Sequence, residues 1–387
     1  MTTRKKVLIA LGTRPEAIKL APVIKALENN ENLVPIVVAT AQHRDLMDQV
    51  LQLFKITPQV DLNLMKSNQD LFYTTSHCLE RMEQVLKTES PSMVIVQGDT
   101  ATAFTAALAA YYSKIPIAHI EAGLRTDDIY APFPEEGYRK LIGALAELHF
   151  APTEQARVNL LKENINPDKI LLTGNTSIDA LKMGIQQADV LPPENLTLEE
   201  NDPTILLTLH RRENFGNPLA QIFSAISTFA YRHPKFQIVY PVHPNPNVLN
   251  LAKQYLSSFS NIHLIPPTQY SEMLFLLGRA QFVLTDSGGI QEEAPSLGKP
   301  TLILRNRTER MEAVQEGAAR LVGNNPELIY QMMLSLSDTS SELYQSMAHP
   351  ITAFGDGKAS QKIIDRISTY FTKHNREGIS CAASSDI

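Results

Sequence analysis

Short β-branched runs alternate with helix-length amphipathic stretches from one end of the chain to the other. In the first half Val7–Leu11, Val34–Ala39, Met93–Gln97, Ile115–Ile120, Leu148–Ala151 and Ile170–Leu172 read as strands. They are nearly continuous apolar runs rather than alternating ones, the pattern of parallel strands covered on both faces. Between them, Ala17–Leu27, Leu46–Phe54, Leu71–Leu86 and Thr102–Tyr112 carry helical spacing. The character changes between residues 188 and 203, where Leu191-Pro192-Pro193-Glu194 and Glu199-Glu200-Asn201-Asp202-Pro203 read as a linker. A second series follows: Ile205–Leu209, Phe236–Tyr240, Ile262–Ile265, Phe282–Thr285 and Thr301–Leu304, each leading into a helical stretch. The pattern predicts an α/β protein of two Rossmann-like doubly wound domains facing a central cleft, with strand carboxyl ends lining it. The expected boundaries are 1–187 for the first domain, 188–203 for the linker and 204–357 for the second domain. A last helix, about Ser360–Phe371 within 358–373, is expected to pack back on the first domain, before a small, polar, disordered tail over 374–387.

Length supports two cores, since 387 residues exceed what one ordinary domain holds. With 43% hydrophobic residues, 20% charged and a net charge of -6, the chain offers no basic face for nucleic acid. Arg4-Lys5-Lys6 precedes an apolar run too short for a signal peptide or a membrane span, so a cytoplasmic protein with no membrane partner is expected. Cys78 and Cys381 are far apart and match no zinc or redox spacing.

Polar residues gather where strands end. After the first strand, Gly12-Thr13-Arg14-Pro15-Glu16 forms a turn opening a helix, a place where α/β proteins hold phosphate. It is neither of the common nucleotide loops, because one glycine makes the turn and Arg14 supplies the charge. Gly98-Asp99-Thr100, Glu121 through Arg125, and Pro134-Glu135-Glu136 with Arg139 one turn on follow in the first half. In the second half stand His210 through Asn214, His243, Asp286-Ser287-Gly288-Gly289, Glu293 and Arg310. Each has a bland reading: Asp99 as a helix cap, Glu135 and Glu136 as dipole partners, His210, His243, His43 and His119 as ordinary loop or structural histidines. Taken jointly, three carboxylates in one half and an anion-binding turn with cations in the other point to a sugar-nucleotide enzyme. Arg14, Arg310, His243 and the Ser287 turn would neutralise a diphosphate, and Glu293 would accept from ribose hydroxyls. Carboxylates on either side of a sugar would move protons.

These motifs resemble the non-hydrolysing UDP-N-acetylglucosamine 2-epimerases. The matching stretches are Gly12 through Lys19, Gln42-His43-Arg44, Gly98-Asp99-Thr100, Glu121 through Arg125, Pro134-Glu135-Glu136, His210 through Asn214, Pro241-Val242-His243, Thr285 through Pro295, Thr308-Glu309-Arg310 and Gly355 through Ser360. They run in family order over about residues 5 to 372. The resemblance implies a GT-B-like fold, a homodimer, no cofactor and no metal. It implies reversible conversion of UDP-GlcNAc to UDP-ManNAc, by elimination of UDP to 2-acetamidoglucal and re-addition. By motif, Asp99, Glu121 and Glu135 would be the proton-transfer carboxylates, with His210 and Arg139 assisting. Arg14, His243, Phe275, Ser287, Gly288, Gly289, Glu293 and Arg310 would bind UDP. A second UDP-GlcNAc, bound as an activator, would use Gln42, His43, Gln69 and Arg211.

The chain departs from the family at Asn68, where some members have arginine, and at Tyr138, Asn306 and Met311. A neutral amide at 68 lacks an arginine's charge-assisted contact with phosphate. The alternatives are a GT-B glycosyltransferase using a UDP-sugar, a hydrolysing epimerase releasing ManNAc and UDP, an epimerase of a diacetamido sugar, and a non-catalytic sensor.

Overall fold

Every apolar run read as a strand enters one of two parallel sheets. The computed structural model describes residues 4–40, 44–64, 70–186, 190–194, 196–199, 201–308 and 310–383. The chain divides into one unit of residues 1–180 with 355–387, and a second of 181–354.

The first unit holds β1 (Lys5–Leu11), β2 (Leu33–Ala39), β3 (Val60–Asp61), β4 (Met93–Gln97), β5 (Ile117–Ile120), β6 (Leu148–Ala151) and β7 (Ile170–Leu172). Its order is β3-β2-β1-β4-β5-β6-β7, so the winding reverses between β1 and β4. Helices α1 (Arg14–Glu28), α2 (Arg44–Leu53), α3 (Leu71–Glu89), α4 (Ala101–Tyr112), α5 (Glu135–Leu145), α6 (Glu154–Lys162) and α7 (Thr176–Ile185) follow in chain order. All five residues of β4 are buried, as a central parallel strand requires. β5 begins two residues later than expected: Ile115 N–H donates to Ala110 O to close α4, and Pro116 has no N–H. The alanine-rich α4 packs closely against α3, α5 and the sheet, burying Ala103, Ala106, Ala107 and Ala110.

The second unit holds β8 (Thr204–Thr208), β9 (Gln237–Pro241), β10 (Ile262–Ile265), β11 (Ala280–Thr285), β12 (Thr301–Ile303) and β13 (Ala319–Leu321). The order β10-β9-β8-β11-β12-β13 reverses between β8 and β11. Its helices are α8 (Asn217–Arg232), α9 (Pro246–Leu256), α10 (Tyr270–Arg279), α11 (Gly288–Ser296), α12 (Met311–Gln315), α13 (Pro326–Ser337) and α14 (Glu342–Met347). Phe223, Phe229, Tyr240, Phe282 and Met333 centre its core. Each such apolar side chain contributes about 1.5–3 kcal/mol by burial.

The chain returns to the first unit at Gly355, and α15 (Ala359–Ala383) packs on α1 with Ile363, Ile364 and Ile367 buried. The Asp179 carboxylate caps it, accepting from Ala359 N (3.2 Å), Ser360 N (2.8 Å) and Ser360 Oγ (2.6 Å). Where a disordered tail was expected from 374, helix continues to Ala383, there being no proline to stop it. Residues 384–387 lie outside the described residues. Among the described residues no helix is long and apolar enough to cross a membrane.

Gly123, just after β5, has φ +91°, and a Cβ there would lie 2.2 Å from Ala156 O. Left-handed backbone and absent space coincide, so Gly123→Ala should destabilise the chain by roughly 2–4 kcal/mol. Urea unfolding checks this: the midpoint should fall with the slope unchanged, and an unaltered midpoint would refute the packing argument.

Candidate active site

In the first unit, the turns after β1 and β4 lie side by side because those strands are neighbours. The first turn opens α1, with Thr13 as N-cap and Arg14 half-buried in the first helical turn. One turn along α1, Lys19 Nζ pairs with Glu121 Oε1 at 2.5 Å. Glu121 follows β5 with φ +62°, a left-handed conformation that a side chain adopts only when its surroundings hold it. They do so through three donors: Lys19 and Asn175 Nδ2 (3.1 Å) on Oε1, and Gln97 Nε2 on Oε2.

Asp99 follows β4. Arg139, from α5, donates to Asp99 Oδ2 through Nε (2.7 Å) and a terminal nitrogen (2.6 Å), while its other terminal nitrogen pairs with Glu136 Oε2 at 2.9 Å. Burial pushes the Asp99 carboxyl above the ordinary carboxylate range; Arg139 opposes that shift and the Glu121 charge adds to it. Glu135 sits one turn before Arg139 in the first turn of α5, and its buried Oε2 has no hydrogen-bond partner. His119 is wholly buried, its imidazole pushed down to about 3 by desolvation, and its Nε2–H donates to Gly98 O at 2.8 Å. It is structural, as its bland reading had it, and the carbonyl it holds belongs to the residue before Asp99.

The structure thus joins Asp99, Glu121 and Arg139 in one charged cluster. Sequence reasoning did not single out Lys19, Gln97 and Asn175 as site residues. Gln97 carried a usable signal, being the only polar residue of β4 and standing at its carboxyl end. Lys19 carried one as the last residue of the Gly12 stretch, while Asn175, 54 residues from its partner Glu121, had none.

In the second unit, the turns after β8 and β11 are neighbours for the same topological reason. Asp286 is wholly buried and accepts from His210 N, Arg211 N, Asn214 Nδ2 and His210 Nδ1, the last at 3.0 Å. Burial alone would raise its pKa, but the imidazole and the backbone N–H groups more than offset that, holding the carboxyl below its ordinary range. The pair fixes the orientation of the His210 ring, with Nδ1–H on the carboxylate. The His243 ring lies 6.2 Å from that of His210, its pKa lowered by burial and by the His210 charge.

α11 opens with Ser287 as N-cap, whose side chain makes no capping bond. Its first-turn N–H groups therefore receive no capping acceptor from Ser287. A Cβ on Gly289 would meet nothing within 4 Å, whereas one on Gly288 would strike the Arg310 guanidinium at 2.8 Å. Glycine at 288 is what lets Arg310 lie against the turn, held by Glu292 Oε1 at 2.8 Å. Glu293 is buried on the same helix, and Phe275 is half-buried on α10. Arg211 is half-buried with its Nε unpartnered. Gln42, His43 and Gln69 lie outside the described residues.

The profile of the UDP-N-acetylglucosamine 2-epimerases matches residues 25–368. The chain belongs to this family. It is 47% identical to the UDP-N-acetylglucosamine 2-epimerase of Campylobacter jejuni, over 93% of this chain and 97% of that one. With the Bacillus subtilis enzyme of the same name, identity is 45%, covering 95% and 96%. The crystal structure of UDP-GlcNAc 2-epimerase from Neisseria meningitidis bound to UDP-GlcNAc superposes with a TM-score of 0.84 at 44% identity, covering 94% and 100%. The family resemblance, the GT-B-like α/β fold and an epimerase activity, all expected from the sequence, therefore stand.

In this epimerase Asp286→Asn would leave an amide that cannot accept all the donors now converging on the carboxylate. We expect kcat to fall about 10²-fold through loss of His210 orientation, with about 1–3 kcal/mol lost in stability. Steady-state kinetics with a thermal melt decide; a stability loss at unchanged kcat would remove the orienting role.

Proposed function

We propose that the chain interconverts UDP-GlcNAc and UDP-ManNAc without net hydrolysis. A base removes the C2 proton, the C–H electrons form the C1–C2 double bond, and the C1–oxygen bond breaks to release UDP. The intermediate is 2-acetamidoglucal. Return of a proton to the opposite face of C2, with UDP oxygen adding at C1, gives the epimer. Atoms and charge balance without an external electron acceptor.

The observation that carries this reading is the pair of unlike carboxylates in the first unit. Glu121 accepts from Lys19, Gln97 and Asn175, contacts that hold it in the charged form a general base starts from. Asp99 is raised by burial and by the Glu121 charge, which suits a group that holds one. The two acids are linked, since the Glu121 charge raises Asp99 while Lys19, paired with Glu121, lowers it. Arg139 orients Asp99, and Glu135, with an unpartnered oxygen, is a third proton carrier in the same reading. The α11 turn with Arg310 receives the diphosphate, with His210 and His243 adding positive charge or hydrogen bonds as it leaves, and Arg14 of the first unit is a further UDP-binding candidate. Glu293 takes the ribose hydroxyls and Phe275 flanks the nucleoside. The unpartnered Nε of Arg211 supports a further position for a second UDP-sugar acting as activator.

Proton NMR in D2O with UDP-GlcNAc tests the reaction directly. Growth of UDP-ManNAc, with deuterium at C2 of both epimers, is expected; free ManNAc and UDP would replace the reading by hydrolysis. Glu121→Gln should lower C2 exchange by about 10²–10⁴-fold while UDP binds within about two-fold of normal. A loss of UDP affinity as large as the loss of rate would move Glu121 out of proton transfer.

A further inference from the structure

Asp99 is held from both sides of its own backbone. His119 holds the carbonyl of the residue before it, and the hydroxyl of the residue after it, Thr100, donates to Glu16 Oε1 at 2.6 Å. The other oxygen of Glu16 accepts from Gly12 N (3.0 Å), Thr13 N (2.8 Å) and Thr13 Oγ (2.9 Å). Glu16 is 1% exposed. One buried carboxylate therefore ties the turn that carries Arg14 to the loop that carries Asp99, across the point where the winding of the sheet reverses.

A capping box alone accounts for only part of this. It needs the acid at the third helical position to reach back to Thr13 N, and a glutamine serves there equally well. Burying a full charge for that purpose is costly. The bond to Thr100, 84 residues away, closes no helical turn of α1. We propose that Glu16 is a positioning residue for proton transfer at Asp99, fixing the Asp99 loop against the Arg14 turn. The inference rests on Asp99 being a proton-transfer group.

The charged groups around Glu16 leave it as the titrating member of this contact. On α1 itself Arg14 lies in the first turn and Lys19 is committed to Glu121. From α3, Cys78 has its thiol pushed up to about 11 by burial, with the Glu16 charge adding to that. On the β4 side Asp99 pairs with Arg139. Burial raises Glu16 itself from 4.5 to about 6, against its four hydrogen bonds. Once protonated, it no longer accepts at both oxygens, so turnover falls on the acid side of that value. Stability moves oppositely: the contribution of a raised carboxyl is present below pH 4.5 and is lost as pH rises through about 6.

Glu16→Gln keeps the shape and removes the titration. At pH 8 its kcat should fall about ten-fold with KM within about two-fold, since misplaced groups lose rate rather than binding. Its thermal midpoint at pH 8 should equal or exceed that of the unmodified chain, and the acid-side fall in kcat near pH 6 should disappear. An unchanged kcat with the acid limb intact would overturn the proposal. Asp99→Asn, assayed alongside, separates the two readings. An active Asp99→Asn enzyme overturns the role of Asp99, whereas an inactive one beside a normal Glu16→Gln enzyme overturns Glu16 alone. Should Glu16→Gln not fold, Thr100→Ala breaks the same bond from the other side; kcat should fall similarly at unchanged KM, and an unchanged kcat would again overturn the proposal.

Discussion

The constraint on which the rest depends is the reversal of winding in each parallel sheet. Where neighbouring strands send their chains away in opposite directions, no crossover helix covers the strand ends, and the two turns face each other. In the first unit that juxtaposes Gly12–Glu16 with Gly98–Thr100, and in the second His210–Asn214 with Asp286–Gly289. Each pair is then locked by one buried acid accepting several donors, Glu16 in one and Asp286 in the other. The two units differ in sequence but solve the same local problem in the same way. Backbone N–H groups left open by the reversal are satisfied by a carboxylate, and the side chains next to them are thereby aimed.

Much of this was legible beforehand. Parallel strands buried on both faces write themselves as unbroken apolar runs, so Val7–Leu11 or Met93–Gln97 need no structure to be recognised. β3 and β13 escaped because Val60-Asp61 is only two residues and Ala319-Arg320-Leu321 is broken by an arginine, so neither reads as an apolar run. Small and polar composition does not by itself end a helix, and α15 extends to Ala383. Within the site, residues sharing a motif were visible together, while the contacts between motifs were not. Lys19 stood in the Gly12 motif and Glu121 in another, and only the fold of the sheet puts them 2.5 Å apart. Asp286 is the sharper lesson. It preceded the turn that drew attention as an anion site, yet its own role is to hold His210.

The buried acids of this chain separate by the donors that surround them. Asp286 accepts from two backbone N–H groups, an amide and an imidazole, and its proton affinity falls below the ordinary despite complete burial. Such a group is fixed as an anion over the working range of pH and can orient but not exchange a proton. Glu16 also accepts four hydrogen bonds, but two come from hydroxyls and none from a cation or an imidazole, and burial wins, to about 6. Asp99 has a strong cation in Arg139 but the charge of Glu121 nearby, and it too is raised.

That ordering bears on how one scaffold keeps structural and reactive acids apart. A carboxylate that stays charged, Asp286, has an imidazole on it as well as backbone donors in fixed directions. Asp99 and Glu121 are instead set beside each other, each balanced by a long basic side chain, Arg139 or Lys19. In the proposed reaction these are the acids that exchange protons, and the Glu121 charge bears on that of Asp99. The backbone around them must not yield at that moment. The left-handed Glu121, the His119 hydrogen bond to Gly98 and the Glu16 bridge to Thr100 fix that backbone.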